Sequence, residues 1–244
     1  MIEVVEGIII SETLYGETSK IINVFTKEYG MIGMMAKGCR TLKSPLRSVT
    51  SKLTYGSFNI RYNEGRLSNL NSVDIIDNFK YVIRDIEKIS YVSYLLELSS
   101  QIIKHGYSVE LYPLLISSIK KINEGYDSLV ITNILELKCL EFLGVMPVLD
   151  SCAICGSAKG IATLSSHRGG YICNNCLRGE KILSEKTIKL IRMFYYVDIE
   201  KISKLDVSEQ VKFEINSFLN EYYERYTGLY LKTKEFIKDL EYIK

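Results

Sequence analysis

The 244-residue sequence contains no run of 18 uninterrupted apolar residues, which excludes a membrane-spanning helix. Its first residues, MIEVVE, carry no basic segment and place two glutamates where a leader peptide would need apolar residues. The expected compartment is therefore the cytoplasm. A Walker-type G-x-x-x-x-G-K-[ST] is missing, so nothing points to nucleotide-fuelled work by that motif. The H-x-E partner of the zinc deaminase signature is missing too. Tryptophan is absent and prolines number only three, and the chain holds neither internal repeats nor low-complexity tracts. Net charge is small as well, +2 with a pI near 8.1, which excludes a bulk polyanion binder while leaving room for a local basic patch.

What is present is enough apolar material for a core: 47% apolar and 25% charged residues, the balance of a folded globular protein. Tyrosine is abundant at 18, but a single tyrosine is ordinarily a half-buried packing residue rather than a binding surface.

Residues 1 to about 79 read as strands. IEVVEGIIIS, SKIINVFTKE, MIGMMAKG, LTYGSFNIRY and RLSNLNSVDII are apolar or alternating runs, and Tyr15-Gly16, Tyr29-Gly30, Gly38 and Asn63-Glu64-Gly65 punctuate them. Five short strands without a long helix predict a small antiparallel barrel of the OB-fold kind. From residue 80 to 244 the period changes. RDIEKISYVSYLLELSSQIIKHG, LYPLLISSIKKIN and DSLVITNILELKCLEFLG space their apolar residues by three and four. Asp127 is the expected cap of the third helix and Gly144 its expected stop. SEKTIKLIRMFYYV, SEQVKFEINSFLNEYYERY and LYLKTKEFIKDLEYI supply further amphipathic helix. A β domain over 1–79 and an all-α domain over 80–244 are expected.

Within the helical part, over 150–180, lies CAICGSAKGIATLSSHRGGYICNNC. Cys152 and Cys155 form one C-x-x-C, Cys173 and Cys176 another, and 17 residues separate the pairs. This is the spacing of a zinc site in which two thiolate knuckles complete a tetrahedron. Two disulfides are disfavoured in a cytosolic chain, and a thioredoxin-like pair needs a βαβ context that is missing. Four thiolates leave no open position, so one structural Zn²⁺ is expected and His167 is read as a hairpin-tip residue. Cys139 falls in an apolar helical pattern and reads as core. Cys39, beside Lys37 and Arg40, has the setting of a lowered pKa but no visible base, so a nucleophile is not supported.

Between residues 35 and 56, MAKGCRTLKSPLRSVTSKLTYG holds five basic residues and no acidic one. Extended to residue 66 the set becomes Lys37, Arg40, Lys43, Arg47, Lys52, Arg61 and Arg66, opposed only by Glu64. A stretch of +6 in a chain of +2 leaves −4 on the rest. Residues 41–48 read as an exposed loop between the third and fourth strands. Cations on a small barrel, with Tyr55, Phe58 and Tyr62 as candidate stacking rings, have the composition that holds single-stranded nucleic acid. The competing reading is a zinc-stabilised protein–protein adaptor whose basic loop is incidental. A nuclease would need clustered carboxylates, and the acidic pair Asp74 and Asp77 falls at the end of the expected barrel.

GETSKIINVFTKEYGMIGMMAKGCRTLKS, Gly16 to Ser44, resembles the N-terminal signature of the bacterial DNA-repair mediator family RecO. The shared elements are Gly16-Glu17, Lys20-Ile21, Phe25-Thr26, Gly30, and Ala36-Lys37-Gly38 with Arg40, Lys43 and Ser44. The resemblance continues through LEFLGVMPVLDSCAICG and LYLKTKEFI. It implies an OB-fold followed by a helical domain bearing a zinc knuckle. It also implies a non-enzymatic protein that binds single- and double-stranded DNA, anneals complementary strands, and loads recombinase. The implied partners are a RecR-like protein and, in some members, the C-terminal tail of single-strand-binding protein, with nucleoid association when DNA is bound. By motif Lys37, Arg40 and Lys43 carry over as DNA contacts. Arg47, Lys52, Arg61 and Arg66 are added from charge alone, and no tail-binding residue carries over.

Overall fold

The structure, a computed structural model, describes residues 1–106 and 109–243, with 238–243 given as backbone path only. The chain forms two compact units, one of Met1–Lys80 with Gly106–Pro113 and one of Tyr81–His105 with the chain from Leu114 onward.

The first unit is a closed five-stranded barrel. Its strands are β1 (Ile2–Tyr15), β2 (Ser19–Thr26), β3 (Gly30–Ala36), β4 (Tyr55–Arg61) and β5 (Ser68–Asp77), ordered β1-β2-β3-β5-β4. Every pairing is antiparallel except the short β3–β5 contact, where Met34 meets Ser68 and Met35 meets Asn69. The period of two decides what is inside. On β3, Ile32, Met34 and Ala36 are buried while Met31, Gly33 and Met35 face outward and are only partly covered. Val5, Ile9, Ile22, Val24, Phe58, Ile60 and Leu70 complete the barrel core with them. Closure of a small barrel also brings backbones together: a Cβ added to Gly56 would lie 2.5 Å from the Asp74 carbonyl oxygen, so β4 and β5 approach there only because the residue is glycine.

The second unit is helical. It contains α1 (Lys80–Ile83), α2 (Ile86–His105), α3 (Leu111–Glu124), α4 (Ser128–Phe142), α5 (Glu185–Tyr196), α6 (Glu209–Tyr226) and α7 (Lys232–Ile243), the first and third beginning at the unit boundary. A two-stranded hairpin, β6 (Ile161–Ser165) and β7 (Gly170–Cys173), is inserted between α4 and α5. Helix α4 is apolar nearly all round and is correspondingly the central helix, packed on α2, α5 and α6. Asp127 caps it, accepting from the Val130 N–H at 3.0 Å. Gly144, at φ 69°, ends it: its N–H bonds the Glu141 carbonyl and the Val145 N–H the Leu140 carbonyl, the two bonds of a Schellman stop. No helix among the described residues is long and apolar enough to cross a membrane.

Candidate nucleic-acid interface and metal centre

Residues 37–54, which join β3 to β4, carry Lys37, Arg40, Lys43, Arg47 and Lys52, and all five side chains are exposed. The connection is not a free arc. Cys39 and Leu46 are buried and belong to the barrel core. The Arg40 N–H donates to the Thr18 carbonyl at 2.8 Å, and the Leu53 N–H and Ile9 N–H close a pair of bonds to the Ile9 and Thr54 carbonyls, each 2.9 Å. Thr50, fully buried, donates its hydroxyl to the Leu46 carbonyl. Apolar anchors at 39, 46 and 53 thus alternate with cations at 37, 40, 43, 47 and 52, which fixes the backbone while presenting the charges to solvent. Among the described residues, Lys37, Lys43, Arg47, Arg61 and Arg66 form no ion pair, and the Arg40 guanidinium donates only to the Gly16 carbonyl at 3.3 Å.

Arg61 ends β4 and Arg66 lies in the β4–β5 turn, both exposed and on a separate segment. The register connects them to the first group. Arg61 pairs with Asn69, and Asn69 pairs with Met35, two residues before Lys37. At about 4.8 Å per strand, Arg61 stands roughly 10 Å from Met35 across β5.

The rings expected beside these cations are placed otherwise. Phe58 is fully buried in the barrel core. Tyr55 is 3% exposed, stacked on Phe79, with its hydroxyl 2.6 Å from Glu6. Burial, then the Glu6 carboxylate, pushes its phenol far up, so it stays neutral. Neither ring is available to a base. Tyr62 is partly buried and stacks on Tyr29, ring centroids 4.8 Å apart. Two further expectations are settled by burial. Cys39 is 1% exposed and so is no surface nucleophile, and Cys139 is buried in α4, where burial pushes its thiol up.

The four cysteines of the hairpin region converge. The sulfurs of Cys152, Cys155, Cys173 and Cys176 all lie within 4.8 Å of one another, and Cys155 and Cys173 are 3.6 Å apart. Four thiolates on one Zn²⁺ would be separated by about 3.8 Å, given Zn–S bonds of about 2.3 Å. Local structure makes the convergence. The Cys152–Cys155 turn is closed by the Gly156 N–H on the Cys152 carbonyl, 2.9 Å, and by the Cys152 N–H on the Ser157 carbonyl, 2.8 Å. Cys173 ends β7, and Cys176 closes the single 3₁₀ turn that follows. Burial pushes the Cys152 thiol up, but the N–H groups of Cys155, Cys173 and Ile154 prevail and bring it down to about 6. Its neighbour Cys176 is pushed up to about 12, chiefly by its hydrogen bond with Cys155. A sulfur set in which one thiolate raises the next is what a divalent cation would hold together. His167 lies in the β6–β7 turn, its Nε2 2.9 Å from an Arg225 nitrogen.

A support for this centre was not visible in the sequence. Asp150, two residues before Cys152, receives Arg192 Nε at 2.9 Å and the Tyr196 hydroxyl at 3.0 Å, both from α5. Those two donors hold its carboxyl below the usual range. An arginine and a tyrosine four residues apart on a helix were the available signal, but their target lies more than forty residues away.

Known proteins are similar to this chain over nearly its whole length. The family model for the recombination protein O N terminal matches residues 1–79, and that for the recombination protein O C terminal matches residues 83–235. The chain is 35% identical over 240 residues to the DNA repair protein RecO of Listeria monocytogenes serotype 4b (strain CLIP80459), covering 97% of this chain and 94% of that protein. It is likewise 35% identical to the DNA repair proteins RecO of Bacillus pumilus (98% and 94% covered) and Halalkalibacterium halodurans (97% and 94%).

Proposed function

The chain belongs to the recombination protein O family, and from that premise we propose that it is a non-enzymatic DNA-binding and strand-annealing mediator of recombinational DNA repair. The observation that carries the reading is the anchored connection of residues 37–54, whose five cations are exposed while its Cys39, Leu46 and Leu53 are held in the barrel. Annealing needs neither a nucleophile nor a nucleotide. Phosphates neutralised on two strands repel each other less and meet more often, and the bases do the rest. Lys37, Arg40 and Lys43 are the principal contacts, with Arg47, Lys52, Arg61 and Arg66 extending the surface. Contacts of this kind go to phosphates and carry little sequence information.

The metal of the cysteine centre is, on this reading, one Zn²⁺ bound by Cys152, Cys155, Cys173 and Cys176. It ties the hairpin together and contributes folding free energy rather than chemistry. A RecR-like protein and the C-terminal tail of single-strand-binding protein are the proposed partners in loading recombinase, with the cytoplasm and nucleoid the place of action.

Charge reversal tests the reading. Lys37→Glu, Arg40→Glu and Lys43→Glu together are expected to abolish annealing of complementary oligonucleotides while the thermal transition and zinc content stay those of the parent. Annealing at the parent rate would overturn the reading and favour an adaptor that works without touching DNA.

A further inference from the structure

The burial of Tyr55 and Phe58 leaves the bases of a bound strand without the expected rings, and the outer face of the barrel offers a different surface. We propose that unstacked bases of single-stranded DNA lie across an apolar strip of Ile21, Met35 and Leu67, a strip that sets a preference for single strands over duplex; this rests on the DNA-binding reading above.

Strand register builds the strip. Ile21 on β2 is the cross-strand partner of Met35 on β3, and Met35 in turn pairs with Asn69 on β5. All three face outward and are partly covered, while their chain neighbours Ile22, Met34, Ala36, Ser68 and Leu70 point into the barrel. Leu67, 42% exposed, joins them from the β4–β5 turn. It lies flat over Gly33, where an added Cβ would be 2.8 Å from Leu67 Cδ2. The bare backbone of Gly33 is therefore what lets this leucine reach β3.

Charge frames the strip. Lys37 and Arg40 follow Met35 at one end, and Arg61 and Arg66 lie on the far side of Asn69 and beside Leu67. With about 4.8 Å per strand and about 3.3 Å per residue, Lys37 and Arg61 stand roughly 10–15 Å apart, a span of two or three nucleotides. A strand whose phosphates reach both cation groups must lay the intervening nucleotides over Ile21, Met35 and Leu67. Thioether and aliphatic side chains make unspecific contact with any base face or thymine methyl. In a duplex those faces are stacked away, so only single strands gain the contact. An apolar protein partner would not need cations on both flanks, whereas a polyanion with apolar bases does.

The test is a cycle on two oligonucleotides, one of deoxythymidine and one of equal length made of abasic spacers. The parent protein is expected to bind the thymidine strand about tenfold more tightly, the scale set by burying tens of Å² of apolar surface. Ile21→Thr with Met35→Thr keeps strand-forming residues and charge. It is expected to bring thymidine affinity down to the abasic value, leaving abasic and duplex affinities and the salt slope unchanged. Leu67→Ser, in a turn, is expected to give a partial loss in the same direction and serves if the double variant melts early. A parent that binds both strands equally, or variants that lose abasic and thymidine binding alike, would overturn the strip. A parent that binds neither strand at low salt would instead remove the DNA-binding reading on which it stands.

Discussion

Cys39 lies in the barrel core and Arg40, the next residue, lies in solvent with a guanidinium nitrogen 3.3 Å from the Gly16 carbonyl oxygen. This pairing of an anchor with a cation recurs at Leu46 and Arg47 and, in reverse order, at Lys52 and Leu53. Each cation is thus held at a fixed place, and among the described residues Arg40 and Arg47 take part in no ion pair.

Truncating an anchor therefore acts on both properties. Leu46→Ala removes a side chain that is 8% exposed and is expected to cost about 2 kcal/mol of stability, the low end for a buried leucine since the site is at the rim. Single-strand affinity is expected to fall as well although no charge changes. Denaturant titration and a binding isotherm check the two effects, and a stability loss without an affinity loss would show that the anchor does not position the cations.

Removing a cysteine ligand is expected to take the metal with it. Cys152→Ser or Cys176→Ser should reduce zinc by elemental analysis from one per chain to near zero. The helical unit should then melt several degrees earlier, since metal bound only by the folded state contributes its binding free energy to folding. Chelation of the parent protein should reproduce the shift, while Cys139→Ala should leave zinc content untouched.

Within the helical unit, Glu136 is 1% exposed and is met by Lys234 Nζ at 2.7 Å and by the Tyr94 hydroxyl. Lys234→Ala leaves that carboxylate without its cation and is expected to cost about 3 kcal/mol or more. Adding Glu136→Gln should restore part of the loss, because the partner left behind is then uncharged. Equal destabilisation in the single and double variants would contradict the pairing.

The cap of α4 is a smaller effect. Asp127→Ala removes the bond to the Val130 N–H together with a 2.6 Å ion pair to Lys212, and about 1 kcal/mol of stability is the expected loss. Asp127→Asn, which keeps the acceptor and not the charge, should recover most of it.

Local pattern was enough for the elements themselves. Asp127 with Gly144 marked both ends of α4, whereas GMIGMMA marked a strand but, being apolar or glycine on both faces, not which side of it faces inward. The cysteine spacing foretold a convergence of four sulfurs, because a knuckle is a local object and only one hairpin has to join two of them. Ring placement was a different matter. Phe58 and Ile60 share the inward face by the period of two, whereas Tyr55 stands on the opposite face with Glu6 and is buried there by Phe79, on which it stacks, and beside Tyr112, neither of which the strand pattern could place. The row Ile21–Met35–Asn69–Arg61 depends on a two-residue parallel contact between β3 and β5, made by strands more than thirty residues apart. Likewise Tyr112, which reaches Glu6 at 3.2 Å and packs its ring on Phe25, lies over a hundred residues along the chain from that glutamate.

One titration bears most directly on the claim that this barrel grips sugar-phosphate chains through its fixed cations. Affinity for a short single strand is to be measured from low to moderate salt. With four to six phosphates neutralised, log K should fall against log salt with a slope of roughly −3 to −4. A slope near zero, or no binding even at low salt, would contradict it.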